Sequence, residues 1–272
     1  MPAITLRTLS EQESRWLTTL SAAGLAAFTV DQARALLGDD GDAAPQVLHR
    51  LCAKRWLKRL ERGKYMVIPL EAGPEGRWAE HEYLVAATLV QPYYLAYTTA
   101  LAYYGYTERR DSTIWVATPR RKQSVSIDNV TYRFVTLAAH KFFGATTVDL
   151  LDQSIQIASR EKAIADAFDH PEYTGGVLEG AKGLWFGSDE LDLAKVVEAA
   201  VCLGNQVAGR RLGFWLERLD LGNMVLWEPL AKYDSHNYAL LEPSGPPSGP
   251  RDAHWRLIVN IPARQLLEWR EH

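Results

Sequence analysis

The sequence predicts a mixed α+β (α/β) protein in which an N-terminal winged helix-turn-helix, residues 1–70, precedes a larger mixed α/β domain. Three observations carry this. Three amphipathic helix patterns, two of them opened by capping boxes, fill the first 55 or so residues. The period then changes from helical to alternating across RLERGKYMVI, from Arg59 onward. Beyond the Gly- and Pro-bearing EAGPEGR segment, helical and alternating patterns are interleaved to the end of the chain.

Ser10 followed by Glu13 is a capping box, in which each side chain satisfies a backbone N–H left unpaired at a helix start. Trp16, Leu17 and Leu20 form the apolar stripe of that helix, and Gly24 can close it in a left-handed turn. Thr29 and Gln32 repeat the box for a second helix carrying Val30, Ala33, Leu36 and Leu37, with Gly38 as its stop. Pro45 suits the first turn of a third helix, where no hydrogen bond is lost. That helix buries Val47, Leu48 and Leu51, which leaves Gln46, His49, Arg50 and Ala53 on the other side. After Trp56 two short strands follow, Leu57 to Leu60 and Tyr65 to Ile68, with Arg62-Gly63 at the turn, where Gly63 supplies a positive φ. Three helices and a hairpin make a winged helix-turn-helix.

Residues 71–77 read as a linker, and residues 78–272 as the second domain with extended strands near its end. There, helices are expected near Trp78–Val90, Thr98–Tyr104, Glu190–Leu203 and Gln206–Leu219, and one after Ser159 with Glu161 in its first turn. Strands are expected at Thr113–Thr118, Ser124–Ile127, Thr131–Leu137, Ser154–Ala158, Tyr238–Leu241 and Trp255–Ile261. Leu84 to Tyr106 carries no charge, but Pro92 and its threonines and tyrosines point to two buried helices rather than a membrane span.

Between Pro45 and Ile68 stand seven cations, Arg50, Lys54, Arg55, Lys58, Arg59, Arg62 and Lys64, against one acid, Glu61, in a chain whose formal net charge is −3. Positive charge so concentrated on a helix and hairpin is the footprint of duplex DNA binding. The expected contacts are Gln46, His49 and Arg50 at base edges, with Arg50 suited to guanine, and Lys58, Arg59, Arg62 and Lys64 at phosphates or in the adjacent minor groove, with Lys54 also counted among the DNA-binding residues. A second basic cluster, Arg109, Arg110, Arg120, Arg121 and Lys122, is a candidate for further phosphate contacts or a partner.

Composition and motifs exclude much else. The chain lacks a P-loop, GxGxxG, HExxH or CxxC pattern, so no cofactor and no metal is expected. Glu80-His81-Glu82 cannot share a metal, since successive helical residues point about 100° apart. Asp149, Asp152, Asp166, Asp169 and His170 could form a nuclease-like cluster, but a hairpin turn and a solvated helix end account for them better. The tyrosines from Tyr93 to Tyr106 read as core beside Leu95 and Leu101 rather than a base-stacking platform. MPAITLRTLSEQES lacks the layout of a signal peptide, and Cys52 and Cys202 read as reduced thiols, so a cytoplasmic location is expected.

The order of the pieces resembles the AbiEi family, antitoxins of type IV toxin–antitoxin systems. The resemblance is carried by Gly63-Lys64-Tyr65 at the end of the wing, YTTALAYYGYTE from Tyr97 and IWVATPRRK from Ile114, then by ASREKAIADAF from Ala158 and WRLIVNIP from Trp255. Together they run through nearly the whole chain, and ASREKAIADAF is the most specific. Thr98 and Thr99 stand where the family has a serine-histidine pair, and Tyr104 where it has a histidine before the glycine. The resemblance implies a repressor whose N-terminal domain binds inverted repeats in its own promoter. It also implies antitoxicity of the larger part against a nucleotidyltransferase toxin, with or without direct contact. The alternatives are a DNA-binding regulator with a partner- or ligand-sensing C-terminal domain and no toxin, and an enzyme acting on nucleic acid.

Overall fold

The computed structural model describes residues 7–38, 43–76, 81–109, 111–151, 153–232 and 237–270. The protein is mixed α and β and divides into two compact units, residues 1–89 and 90–272.

The first unit runs α1 (Glu11–Ala22), β1 (Ala27–Thr29), α2 (Val30–Leu37), α3 (Ala43–Ala53), β2 (Leu57–Glu61), β3 (Lys64–Val67) and α4 (Glu82–Leu89). Both capping boxes are present: Ser10 with Glu13, and Thr29 with Gln32. Gly24 and Gly38 take positive φ, 68° and 63°, where α1 and α2 end. Arg55, with φ 58°, turns the chain out of α3. The strands form an antiparallel sheet in the order β1-β3-β2, with Glu61 opposite Lys64 across the Arg62-Gly63 turn and Gly63 at φ 78°. This is the winged helix-turn-helix that the sequence predicts. The strand β1 was not expected, because three residues are too few to show alternation and Thr29 reads first as a helix cap.

Trp16, Leu17, Leu20, Phe28, Ala33, Val47, Leu48, Leu51 and Leu57 form the core of this unit. Leu36 of α2 is exposed. The break between units falls after Leu89 rather than at residues 71–77, so α4, expected to open the second domain, groups with the first. A physical reason is at hand. Lys64 Nζ, at the start of β3, donates to the carbonyls of Thr88 (3.3 Å) and Leu89, capping the acceptor-rich end of α4.

The second unit begins with β4 (Tyr94–Leu95), α5 (Tyr97–Tyr103), β5 (Thr113–Thr118), β6 (Val125–Ile127), β7 (Val130–Thr136), β8 (Ala145–Leu150) and β9 (Gln153–Ala158). Helices α6 (Arg160–Asp169), α7 (Val177–Phe186), α8 (Leu193–Cys202), α9 (Gln206–Arg218) and α10 (Met224–Trp227) follow. The chain closes with β10 (Ala239–Leu240), β11 (Arg251–Asp252), β12 (Leu257–Ile258) and α11 (Ala263–Leu267). Six strands form one mixed sheet, β6-β7-β5-β4-β9-β8, with β5–β7 and β4–β9 parallel; β10-β12-β11 form a small second sheet. Strands β5, β6, β7 and β9 fall within a residue of their expected spans, while β4 and β8 were not expected.

Helix α6 is the centre of the unit. Every residue from Lys162 to Asp169 is buried, and α5, α7, α8 and α9 pack on it. Helix α7 was not expected, and its glycines are packing surfaces. A Cβ at Gly180 would sit 3.2 Å from Ala167 Cβ, and one at Gly183 would sit 3.0 Å from Ile164 Cδ1, both on α6. Gly213 on α9 likewise makes room for the fully buried Trp255 ring, into which a Cβ would project. The uncharged stretch from Leu84 to Tyr106 resolves into α4, β4 and α5, and no helix among the described residues is long and apolar enough to cross a membrane.

Candidate nucleic-acid interface

The third helix and the hairpin present the cationic edge that the sequence predicts, but they divide its residues into two groups. Gln46, His49 and Arg50 lie on the exposed side of α3, opposite buried Val47, Leu48 and Leu51. Arg62 is exposed at the tip of the wing, and Arg59 is exposed on β2, its Nε 3.4 Å from the Glu61 carbonyl. Lys58, also on β2, is half-buried. These residues come from neighbouring elements because β2 leaves α3 after a single turn.

The others are engaged from within. Glu13 of α1, 1% exposed, receives Lys54 Nζ at 2.6 Å and Arg50 Nε at 3.4 Å, and Gln12 Oε1 accepts from Arg50 Nη2 at 3.0 Å. Lys54, expected among the DNA-binding residues, is therefore a partner of α1. Lys64, expected at a phosphate or in the minor groove, is turned to the end of α4 and pairs with Glu61 at 3.1 Å. In both cases an acceptor that water cannot reach freely holds the ammonium more firmly than an exposed ion pair would. The sequence signal for the first was present, since Glu13 is the acid of the capping box. Its pairing with a helix some 40 residues away was not.

Burial alone would raise the Glu13 carboxyl. Hydrogen bonds from Lys54 and from the Ser10 N–H and hydroxyl outweigh it and hold the group down to about 2. A folded-state value below the ordinary 4.5 means stability that is present above that value and lost as pH falls from 4.5 toward 2. A carboxyl-carbon NMR titration should place Glu13 at the bottom of that window. Titration near 4.5 would mean that the Ser10–Glu13–Lys54 linkage does not persist in solution. Cys52, on the opposite side of α3 from Arg50, has its thiol pushed up to about 11 by burial, which leaves it a packing residue rather than a nucleophile.

The second basic cluster is not one surface. Arg109 precedes β5 and pairs with Asp111 at 3.4 Å, while Arg120, Arg121 and Lys122 follow the same strand. The six residues of β5 separate the two groups by about 20 Å. Lys122 Nζ lies over the Phe134 ring at 5.2 Å, and Arg120 and Arg121 are exposed. Arg110 lies outside the described residues.

Tyr93, Tyr94, Tyr97 and Tyr106 are buried, as expected of core, and burial pushes the Tyr94 and Tyr97 hydroxyls far above their ordinary value. The acidic residues around α6 depart from expectation. Asp166 and Asp169 are not at a solvated helix end: they are 2% and 6% exposed. Asp166 pairs with Lys162 inside α6, and Asp169 receives Lys141 Nζ at 2.9 Å and Asn205 Nδ2 at 2.7 Å. Asp149 sits apart on the β8–β9 hairpin, where Ser154 donates to it at 2.8 Å; Asp152 lies outside the described residues. No group of three metal-ligating side chains stands together among the described residues. Sequence reading missed the Lys162–Asp166 pair, whose one signal is the i, i+4 spacing on an otherwise apolar helix.

No protein-family model matches the chain, and no curated protein matches it in sequence. Among solved structures, that of the RV2827C protein from Mycobacterium tuberculosis is similar over 100% of this chain and 98% of that one, with a TM-score of 0.69 and 16% identity. At that identity the likeness speaks for the fold, both units included, and for nothing about activity.

Proposed function

We propose that this protein is a DNA-binding transcriptional repressor that also serves as antitoxin of a type IV system, counteracting a nucleotidyltransferase toxin. The observation that carries the DNA half is the winged helix itself, with Gln46, His49 and Arg50 exposed along α3 and Arg59 and Arg62 exposed on the adjoining wing. A helix edge of that chemistry fits the major groove, and a basic wing fits the flanking phosphates. The antitoxin half rests on the resemblance to the AbiEi family. The segments that carry it supply the wing, α5, β5, α6 and β12, so they are structural centres of both units rather than scattered surface.

The regulator-without-toxin reading shares the same DNA half, and it is separated by whether a neighbouring nucleotidyltransferase gene is toxic without this chain. The enzyme reading is the least favoured, because Asp166 and Asp169 are committed to internal partners.

The first test is binding of the full chain to its own promoter duplex over a salt series. Each phosphate contact contributes about 0.9 to the slope of log affinity against log salt. Replacing Arg59 and Arg62 together by alanine should flatten that slope by about two. Lys64→Met should leave it unchanged, since that ammonium is spent on α4. No retardation of promoter DNA by the intact chain would remove the repressor reading, and an unchanged slope in the double variant would turn the wing away from DNA.

A further inference from the structure

We propose that Glu13 is a positioning residue for sequence reading: with Gln12 it holds the Arg50 guanidinium from behind, so that the free end of its donor fork faces base edges. This rests on the DNA-binding reading and names what makes that site selective.

A guanidinium has five N–H donors in one plane. In Arg50 the Nε lies in an ion pair 3.4 Å from Glu13 Oε1, and Nη2 donates one hydrogen to Gln12 Oε1 at 3.0 Å. The two hydrogens of Nη1 and the second of Nη2 remain at the tip, and an adjacent pair of them matches the O6 and N7 acceptors of guanine. The support is itself buried and bonded. The Glu13 carboxylate is 1% exposed, accepts the Ser10 N–H at 2.8 Å and binds Lys54 Nζ at 2.6 Å. Arg50, by contrast, is 44% exposed, open to a partner while its guanidinium is tied to Glu13 and Gln12. A long side chain fixed before binding loses less freedom on binding, and the gain is specific to the base that fits the fixed geometry. Lys54 completes the arrangement by balancing the carboxylate, so that Arg50 keeps net positive charge nearby.

The rival account of the same contacts is a charge brake, in which Glu13 merely weakens all DNA binding. The two differ in what Glu13→Gln does. Glutamine keeps the capping box, since either Glu or Gln serves at that position. As positioning residue, Glu13→Gln should lower affinity for a selected duplex, isolated from random sequence by the full chain, and leave random-duplex affinity unchanged or raised. The ratio should fall roughly fivefold, the low end of what one bidentate base contact discriminates. Arg50→Ala should lower the ratio at least as far, and Glu13→Gln added to Arg50→Ala should lower it no further. Equal gains on selected and random duplex, or additive losses in the double variant, would overturn the proposal in favour of the brake. Should Glu13→Gln lower the melting temperature appreciably, Gln12→Ala makes the same test from an exposed position; it should reduce the ratio too, and an unchanged ratio there counts against the proposal. A full chain that enriches no sequence at all would remove the DNA-reading function together with this inference. A clear selected site with an unaltered ratio in Glu13→Gln would remove this inference alone.

Discussion

Replacing Lys162 by methionine should destabilise the protein by about 3–5 kcal/mol at pH 8. Lys162 and Asp166 lie one turn apart on the central helix of the second unit, with side chains 1% and 3% exposed. Asp166 Oδ2 has no hydrogen-bond partner, and the Lys162 ammonium also lies over the rings of Phe143 (4.9 Å) and Tyr94 (5.8 Å). Removing the cation leaves a carboxylate in apolar surroundings with nothing to offset its lost hydration. Burial already pushes the Asp166 carboxyl up, against the pull of Lys162. Without Lys162 it should rise further. A carboxyl raised in the folded state binds its proton more tightly there than in the unfolded chain, so stability falls as pH rises through the gap between the two values. The deficit of Lys162→Met should accordingly shrink on going from pH 8 to pH 5, which denaturant titration at both pH values would measure. The double change Lys162→Met with Asp166→Leu should recover most of the loss, because an apolar pair of similar volume needs no compensation. A single variant within about 1 kcal/mol of the parent at both pH values would mean that water reaches the pair and that α6 is not the dry centre its burial indicates.

What was legible in the sequence follows from what is local. Ser10 with Glu13, Thr29 with Gln32, and Ser159 announce helix starts because a cap is a bond between residues three apart. Gly63 marks the wing because the turn needs a positive φ. The strand β5 coincides with its expected span because its β-branched and aromatic residues are bounded by Ser112 and Pro119. The two longest elements missed, α7 and β8, were missed for long-range reasons. Helix α7 was hidden because its glycines serve the surface of α6, a neighbour that no local pattern reveals. Strand β8, reading ATTVDL, has too little hydrophobic contrast to stand out until β9 pairs with it.

The candidate site divides in the same way. That α3 and the wing are cationic and outward-facing could be read from the helical wheel and the alternation. Which cations are free could not. Lys54 and Lys64 look like Arg59 and Arg62 in the sequence, yet one is spent on Glu13 and the other on the end of α4. Arg109 and Arg120 look adjacent in a chain where β5 holds them apart. Asp166 and Asp169 follow the same rule with the opposite sign: read as a solvated end, they are buried because α5, α7, α8 and α9 all close on α6. A charge count finds a patch, and only packing says which charges belong to it.

Residues 90–272 produced alone should fold, should fail to bind promoter duplex at any salt concentration, and should still protect cells from the toxin. The cut lies at Leu89 rather than at residues 71–77 because the compact units separate there. A fragment starting at residue 78 would carry α4 without Lys64, which caps the end of that helix. The fragment from residue 90 retains the six-stranded sheet, α6 with its surrounding helices, and the fully buried Trp215 and Trp255, enough apolar burial for an independent domain. It lacks α3 and the wing, so DNA binding should be lost outright rather than weakened. Protection is the part that carries information about the second unit. If it persists, the surface to search by charge removal is the exposed pair Arg120 and Arg121 and, separately, Arg109, since these stand at opposite ends of β5 and need not act together. Each charge variant requires a thermal melt beside the growth assay, so that loss of protection is not loss of fold. A fragment that melts cooperatively yet protects nothing, while the full chain protects, would place antitoxicity in the first unit or in repression of the operon. A full chain that also protects against nothing would leave the plain regulator as the function.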